Sequence, residues 1–198
     1  MSDLFNAFEM SPVPVPAEDV RPPEPFRGIY GMPMFVTVPT RDLEGSAEFW
    51  AEAFGFFTLF DIPGKLVHLR RWAFQDVLLV PAGDESVPAD GNAAPAASAA
   101  SSTPEKPGVS GVSGISGVAV SFSCVLSQIE TIAETCDRLI PGCVRGPRST
   151  LWNSLEVEVT TPENVRVIFT AAKPLDPNGE QADNMERVGI RVPRTSQE

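Results

Sequence analysis

The sequence has few of the side chains that bind metal ions or form disulfides. Its 198 residues include one histidine and three cysteines, and no two cysteines form a CxxC pair. An odd number of separated cysteines favours neither a disulfide framework nor a zinc knuckle. We therefore interpret Cys124, Cys136 and Cys143 as free thiols.

Long apolar runs are also missing from the sequence. No stretch approaches the roughly 18 to 20 apolar residues that span a bilayer. The first residues, MSDLFNAFEMSPVPVP, contain acids and prolines where a signal peptide has a basic start and an apolar core. The sequence therefore predicts a cytoplasmic protein that has no membrane partner.

Basic side chains are outnumbered by acidic ones. The chain has 15 lysines and arginines against 26 aspartates and glutamates, and its net charge is -11. Nucleic-acid binding needs a basic surface, so no nucleic-acid partner is expected. Segments 32–81 and 117–174 hold twelve acids and nine bases, so most of the negative charge lies outside them and says little about a binding site.

Three segments have almost no large side chains to bury. Residues 1–31 form a proline-rich arm, residues 83–116 a linker of Ala, Ser, Gly and Pro, and residues 174–198 a tail without periodicity. Such segments cannot offset their conformational entropy by packing, so we expect all three to be flexible. Two compact segments remain, at 32–82 and 117–173.

The first compact segment has the order strand, helix and three strands. The run MFVTVP predicts a strand, and Asp42 or Thr40 can cap the helix that follows. Gly55 stands where a helix commonly ends. FFTLFD, KLVHLRRW and FQDVLLVP predict the other strands. One face of the helix is apolar, with Leu43, Ala47, Trp50 and Phe54.

The second compact segment repeats this order. GVAVSFSC predicts a strand, and Pro141 and Gly142 end the following helix. CVRGP, LWNSLEVEVTT and NVRVIFTAA predict three further strands. The apolar face of the helix carries Ile129, Ile132, Cys136 and Leu139. The predicted fold class is α+β, with two βαβββ modules.

This tandem repeat, with VPTRDLEGSAEFWAEAFGF after the first strand and TTPENVRVIF before the last, resembles the vicinal oxygen chelate superfamily. That superfamily includes glyoxalase I, extradiol dioxygenases and fosfomycin- and bleomycin-resistance proteins. The resemblance implies one domain in which both modules form a curled, cup-shaped mixed sheet that binds a small molecule. It also implies that half-cups can complete each other across a homodimer. The helix motif is matched by Val38, Asp42, Leu43, Ser46, Phe49, Trp50, Phe54, Gly55 and Phe56.

The metal site that the resemblance implies lacks its ligands. Superfamily enzymes hold a divalent metal with side chains, usually His and Glu, from the first and last strands of each module. The corresponding positions here are Phe35, Val77 or Leu79, residues 117–119, and Val167. None of these side chains can coordinate a metal ion. We therefore expect no metal, no cofactor and no catalytic residues.

The leading hypothesis is a metal-free protein, similar to the bleomycin-resistance branch, that binds an antibiotic or planar metabolite in the cup. One alternative is a metal-dependent lyase, isomerase or dioxygenase with a displaced site. Another is a non-catalytic interaction module, with the cup packed shut and the proline-rich arm recruiting partners. A ligand-sized cleft would favour the first hypothesis over the last.

Aromatic and charged residues near the predicted cup are the ligand-binding candidates. Strand alternation places Glu156 and Glu158 on one face, where they either hold a cationic group or simply face water. Arg70 and Arg71 equally favour an anionic ligand, so the sign of the ligand's charge stays open. The candidates are Phe35, His68, Trp72, Phe74, Trp152, Glu156 and Glu158.

Overall fold

The computed structural model describes most of both predicted modules and their surroundings. The first sixteen residues of the predicted arm and all but Gly83 of the predicted linker lie outside the described part of the chain. None of the described helices is long and apolar enough to cross a membrane. The described residues are 17–29, 31, 34–72, 74–83, 118–189 and 191–192.

The first module has the predicted order of elements. Its helix begins where the sequence predicts, because the Asp42 side chain accepts a hydrogen bond from the Gly45 backbone N–H at 2.9 Å. It ends at Gly55, whose φ of 74° places it in the left-handed region that glycine adopts readily. The elements are β1 (Phe35–Thr40), α1 (Leu43–Phe54), β2 (Phe57–Ile62), β3 (Leu66–Arg70) and β4 (Asp76–Pro81).

Replacing the α1 cap tests this local account of the helix. Asp42→Ala is expected to lower the free energy of unfolding by about 1 kcal/mol, because the N–H of Gly45 loses its acceptor. Urea unfolding measures the change. Arg41→Ala is a matched control on an exposed neighbour and should change stability by less than about 0.5 kcal/mol. Equal losses in both variants would contradict the capping role.

The second module repeats the same elements. Its helix ends before Pro141 and Gly142, as predicted, and Gly142 has a φ of 83°. The predicted order is confirmed in this half of the chain as well. The elements are β5 (Val120–Cys124), α2 (Leu126–Leu139), β6 (Val144–Ser149), β7 (Ser154–Thr160) and β8 (Arg166–Ala172).

Backbone hydrogen bonds divide the eight strands into two mixed sheets of four. Their orders are β1-β4-β3-β2 and β5-β8-β7-β6. In each sheet the first and last strands of the module pair in parallel, and the other pairs are antiparallel. The predicted α+β fold of two βαβββ modules is confirmed.

Aromatic side chains from both modules meet in one hydrophobic core. The Trp50 ring of α1 lies 6.4 Å from the Phe122 ring of β5, measured between centroids. The Phe54 ring of α1 lies 4.9 Å from that of Phe169 in β8. The first helix therefore packs against the sheet of the second module as well as its own.

Side chains alternate along the strands between this core and the opposite face of each sheet, which we call the open face. In β7, Val157 and Val159 are fully buried in the core. Glu156 and Glu158 alternate with these valines along the strand and lie on the open face. This is the alternation that the sequence predicts for SLEVEVTT.

The segment predicted as an irregular tail contains a helix, α3 (Glu180–Arg187), that the sequence analysis missed. The turn before it is fixed by Asp176, whose Oδ1 accepts from the Asn178 N–H at 2.9 Å. Glu180 and Asp183 lie in its first turn, where the helix dipole favours negative charge. Its one buried residue is Ala182, which is too small to give a recognisable apolar periodicity.

Candidate functional site

The seven candidate side chains are distributed over several places. Phe35 and His68 lie on the open face of the first module, and Glu156 and Glu158 lie on that of the second. Trp72 lines a cleft between the modules. Phe74 and Trp152 lie in exposed turns.

Three positions that the resemblance assigned to metal ligands face the core. Val77, Leu79 and Val167 are all fully buried in it. A shift of one residue moves a side chain to the other face of a sheet. The β4 residues that alternate with Val77 and Leu79 are Asp76, Leu78 and Val80, of which only Asp76 can coordinate a metal.

Asp76 forms a buried ion pair that engages both of its carboxylate oxygens. Arg70 donates from Nε to Oδ1 at 2.6 Å and from Nη2 to Oδ2 at 2.9 Å. His68 Nε2 lies 3.6 Å from Oδ2, and it has no hydrogen-bond partner in the described part of the chain. The rings of Phe35 and Phe60 contact the His68 ring in T-shaped arrangements, with centroids 5.3 and 5.0 Å away.

This pairing bears on metal binding. A cation at Asp76 would have to displace a bidentate guanidinium, which is a strong charge-assisted contact. Among the described residues, no three side chains of His, Cys, Asp and Glu come together as a metal-binding group. The residues around His68 therefore do not fit a divalent metal.

The two glutamates of β7 have arginine partners on the open face of the second module. Glu156 lies 3.7 Å from Arg148, and Glu158 lies 3.7 Å from Arg145 and 3.8 Å from Arg166. The glutamate side chains are 10% and 12% exposed, whereas the arginine side chains are 48–83% exposed. Neighbouring arginines thus already balance the negative charge that one of the two sequence-based interpretations assigned to binding a cation.

The two candidates in turns are largely exposed. Phe74 is 64% exposed and lies between β3 and β4, and Trp152 is 66% exposed and lies between β6 and β7. Neither lines the cleft between the modules.

A cleft of about 340 Å³ lies between the arm and the two modules, and we call it the arm cleft. One wall comes from the arm, and the others come from the turn after β3 and from the junction of β5 and α2. Its apolar lining exceeds its polar lining. The side chains that give it this character are Pro22, Pro23, Pro25, Trp72, Cys124 and Val125.

Hydrogen bonds attach the arm to both modules. The Val20 carbonyl accepts from Ser127 Oγ at 3.1 Å, at the start of α2. Arg70 Nη1 donates to the carbonyls of Phe26 and Gly28. The prolines between these two attachment points lack backbone N–H groups, so they cannot donate hydrogen bonds to a neighbouring strand. They form one wall of the cleft without joining a sheet. The sequence analysis identified the arm but missed its place in the site.

Arg71 lies under the arm cleft and connects the two modules. It is 8% exposed and forms four hydrogen bonds, all to uncharged oxygens. Burial lowers the pKa of its guanidinium. The acceptors are the carbonyl of Phe54 at 2.7 Å, Gln75 Oε1 at 3.2 Å, the carbonyl of Ser123 at 3.1 Å and Gln128 Oε1 at 2.8 Å.

Solved structures with a similar fold are known, although no protein-family model and no curated protein matches the sequence. TioX from Micromonospora sp. ML1 is 16% identical to this chain and has a TM-score of 0.48. The matched region covers 73% of this chain and 100% of the TioX chain. Lactoylglutathione lyase from Agrobacterium tumefaciens is 16% identical with a TM-score of 0.43, covering 72% and 94%. TnmS3, an antibiotic binding protein from Streptomyces sp. CB03234, is 17% identical with a TM-score of 0.45, covering 73% and 98%.

These solved structures are less than 20% identical and have TM-scores below 0.5, so the vicinal oxygen chelate superfamily stays a resemblance predicted from the sequence. Identities of this size concern the fold alone, and the same fold carries many functions. The function of this chain must therefore be argued from its own residues.

Proposed function

We propose that this chain binds a small, largely apolar molecule in the arm cleft and needs no metal to do so. The observation that carries the proposal is the cleft itself, with about 340 Å³ of space, apolar walls and a few polar groups. Ligand sites typically occupy about 300–1,000 Å³ and have this kind of lining. The volume favours a compact ligand, such as a small planar metabolite or antibiotic.

Trp72 and the arm prolines supply the apolar contacts. Trp72 is half-buried, so part of its indole is available to a ligand that enters the cleft. A planar molecule that stacks on an indole gains contact area and a favourable ring geometry. The rings of Pro22, Pro23 and Pro25 enclose the opposite side with little conformational freedom to lose.

The alternative of an interaction module has less support. It predicts that the interior is packed shut and that the arm is free for partners. The described part of the arm is instead hydrogen-bonded to Arg70 and Ser127, and a ligand-sized cleft lies beneath it. One chain alone forms this cleft, so the proposal does not depend on the homodimer, which stays a prediction.

Removing the indole tests the proposal. Ligands are first identified as planar natural products that raise the melting temperature of the full chain, because a ligand that binds only the folded state stabilises it. Trp72→Ala is then expected to weaken their binding about tenfold or more in calorimetric titrations, since the stacking surface is lost.

Trp152→Ala is the matched control, because it removes the same side chain at an exposed position outside the cleft. Its dissociation constants should equal those of the unmodified chain. Equal weakening by both substitutions would contradict binding in the arm cleft. Stabilisation by Mn, Fe, Ni or Zn ions at near-stoichiometric concentration would contradict the metal-free proposal and favour a metal-dependent enzyme.

A further inference from the structure

We propose that the ligand of the arm cleft carries an oxyanion, of the carboxylate type, that pairs with Arg71. This inference rests on the proposed function, because it names the chemical class of the molecule that occupies the same cleft.

The first argument is the missing counter-charge of Arg71. Its hydrogen-bond acceptors are two backbone carbonyls and two glutamine amides, and none is charged. Among the described residues that line the cleft, Glu24 has the only carboxylate; it is an exposed arm residue, and it is not an ion-pair partner of Arg71. A buried cation is normally balanced by an opposite charge, whereas the described residues here supply uncharged oxygens and the ring of Phe169, whose centroid lies 5.1 Å from Arg71 Cζ.

The second argument is the remaining hydrogen-bonding capacity of the guanidinium. Arginine has five N–H donors, and the four bonds of Arg71 use one on Nε, two on Nη1 and one on Nη2. One N–H on Nη2 is left, and Arg71 lines the cleft. An oxyanion there receives a charge-assisted hydrogen bond at a site that is largely shielded from water.

The third argument is the start of α2, which opens at the same cleft. Its cap residue, Val125, offers no side-chain acceptor, and the first turn contains no acidic residue. The helix dipole places partial positive charge at this end, and the N–H groups of the cleft-lining Val125 and Gln128 are bonded to Gln128 Oε1 and to the Val125 carbonyl. Arg71 and the helix start therefore favour negative charge from two sides.

Cys124 does not supply that negative charge. Its thiol lines the cleft beside Arg71, but burial raises its pKa to about 11. It is therefore protonated and neutral at pH 7, so an incoming anion meets no thiolate.

A matched pair of probes tests whether Arg71 binds an anion or only holds the two modules together. 1-Naphthoate and 1-naphthamide have nearly the same shape, and only the first is charged at pH 7. In calorimetric titrations of the full chain, naphthoate is expected to bind about tenfold more tightly than naphthamide. Equal affinities, or tighter binding of 1-naphthylmethylamine, would overturn the inference and leave the proposed function standing. Binding of none of the three would count against both.

Gln128→Glu provides the test in the protein. Gln128 Oε1 already accepts from Arg71 Nη2 at 2.8 Å, so the variant places a carboxylate on the guanidinium with little change of shape. The preference for naphthoate over naphthamide should disappear, and the melting temperature should rise. Gln181→Glu, on α3, adds the same charge outside the cleft lining and should keep the preference.

Unchanged naphthoate binding in Gln128→Glu would overturn the inference. Arg71→Met is less informative, because Arg71 also connects the modules and the variant loses that connection together with the charge. The acid and amide probes need no substitution, so they test the inference whether or not that variant folds.

Discussion

Replacing Trp50 with alanine is expected to lower the free energy of unfolding by about 3–5 kcal/mol. The side chain is fully buried at the contact between the modules. Its ring lies 5.1 Å from Phe54, 5.3 Å from Phe56 and 6.4 Å from Phe122, measured between centroids. Alanine leaves a cavity that close-packed neighbours fill only in part, so both modules lose contacts.

Urea unfolding followed by circular dichroism measures this loss. Trp50 Nε1 also donates to Glu163 Oε2 at 3.3 Å, so the variant leaves a half-buried carboxylate without that donor. Trp152→Ala is the control, since that side chain is 66% exposed, and it should change stability by less than about 0.5 kcal/mol. A loss below about 1 kcal/mol for Trp50→Ala would show that the modules do not share a packed core.

Asp76→Ala is the second substitution with a large expected effect, again about 3–5 kcal/mol of unfolding free energy. Asp76 and Arg70 are 1% and 2% exposed, so the variant leaves a buried guanidinium without its carboxylate. Arg70 also holds the arm through the carbonyls of Phe26 and Gly28, so we expect the arm to detach at this end. Urea unfolding measures the stability, and hydrogen exchange at residues 20–28 measures the attachment of the arm.

The exposed ion pair of Glu52 with Arg138 is the matched comparison. Its atoms are 2.7 Å apart, but the side chains are 54% and 61% exposed. Glu52→Ala should therefore cost about 0–1 kcal/mol, because solvent screens such pairs. The double variant Asp76→Leu with Arg70→Met should lose less stability than Asp76→Ala, since it removes the buried guanidinium together with its carboxylate. A greater loss in the double variant would contradict the role assigned to the loss of the carboxylate beside Arg70.

Local sequence patterns were sufficient to predict the strands and helices of the two modules. Asp42 and Gly55 mark the two ends of α1 by a side-chain cap and a left-handed residue, and both act through contacts within a few residues. Alternation in SLEVEVTT predicts the two faces of β7 for the same reason. Helix α3 was missed because an eight-residue helix with one buried alanine has no such pattern.

The sequence predicted the strands β4 and β8, but it did not show which of their residues face the core. Counting from a family motif placed ligand positions at Val77, Leu79 and Val167, which lie in the core. The runs in these strands contain apolar residues on both faces, so alternation does not separate them. The pairing of Phe35 with Asp76 shows the register, and it depends on a partner strand some forty residues away in the sequence.

The candidate site depends even more on distant contacts. Trp72 was identified from the sequence as an aromatic residue near the predicted cup, on which a planar ligand could stack. The sequence left the role of Arg71 open, because its acceptors come from α1, β5 and α2 and only folding brings them together. The arm prolines indicated an irregular segment, and nothing local indicated what they would cover.

The place of residues 22–25 in the wall of the arm cleft has a consequence for how the cleft can evolve. Residues 22–25 line the cleft, yet they belong to no sheet or helix. Substitutions there change the shape of the cleft without disturbing a strand pair or the shared core, so their cost in stability is small. Arg71 is constrained instead by the four groups that it joins. Selection can thus change the shape of the accepted molecule quickly while its charge requirement stays fixed.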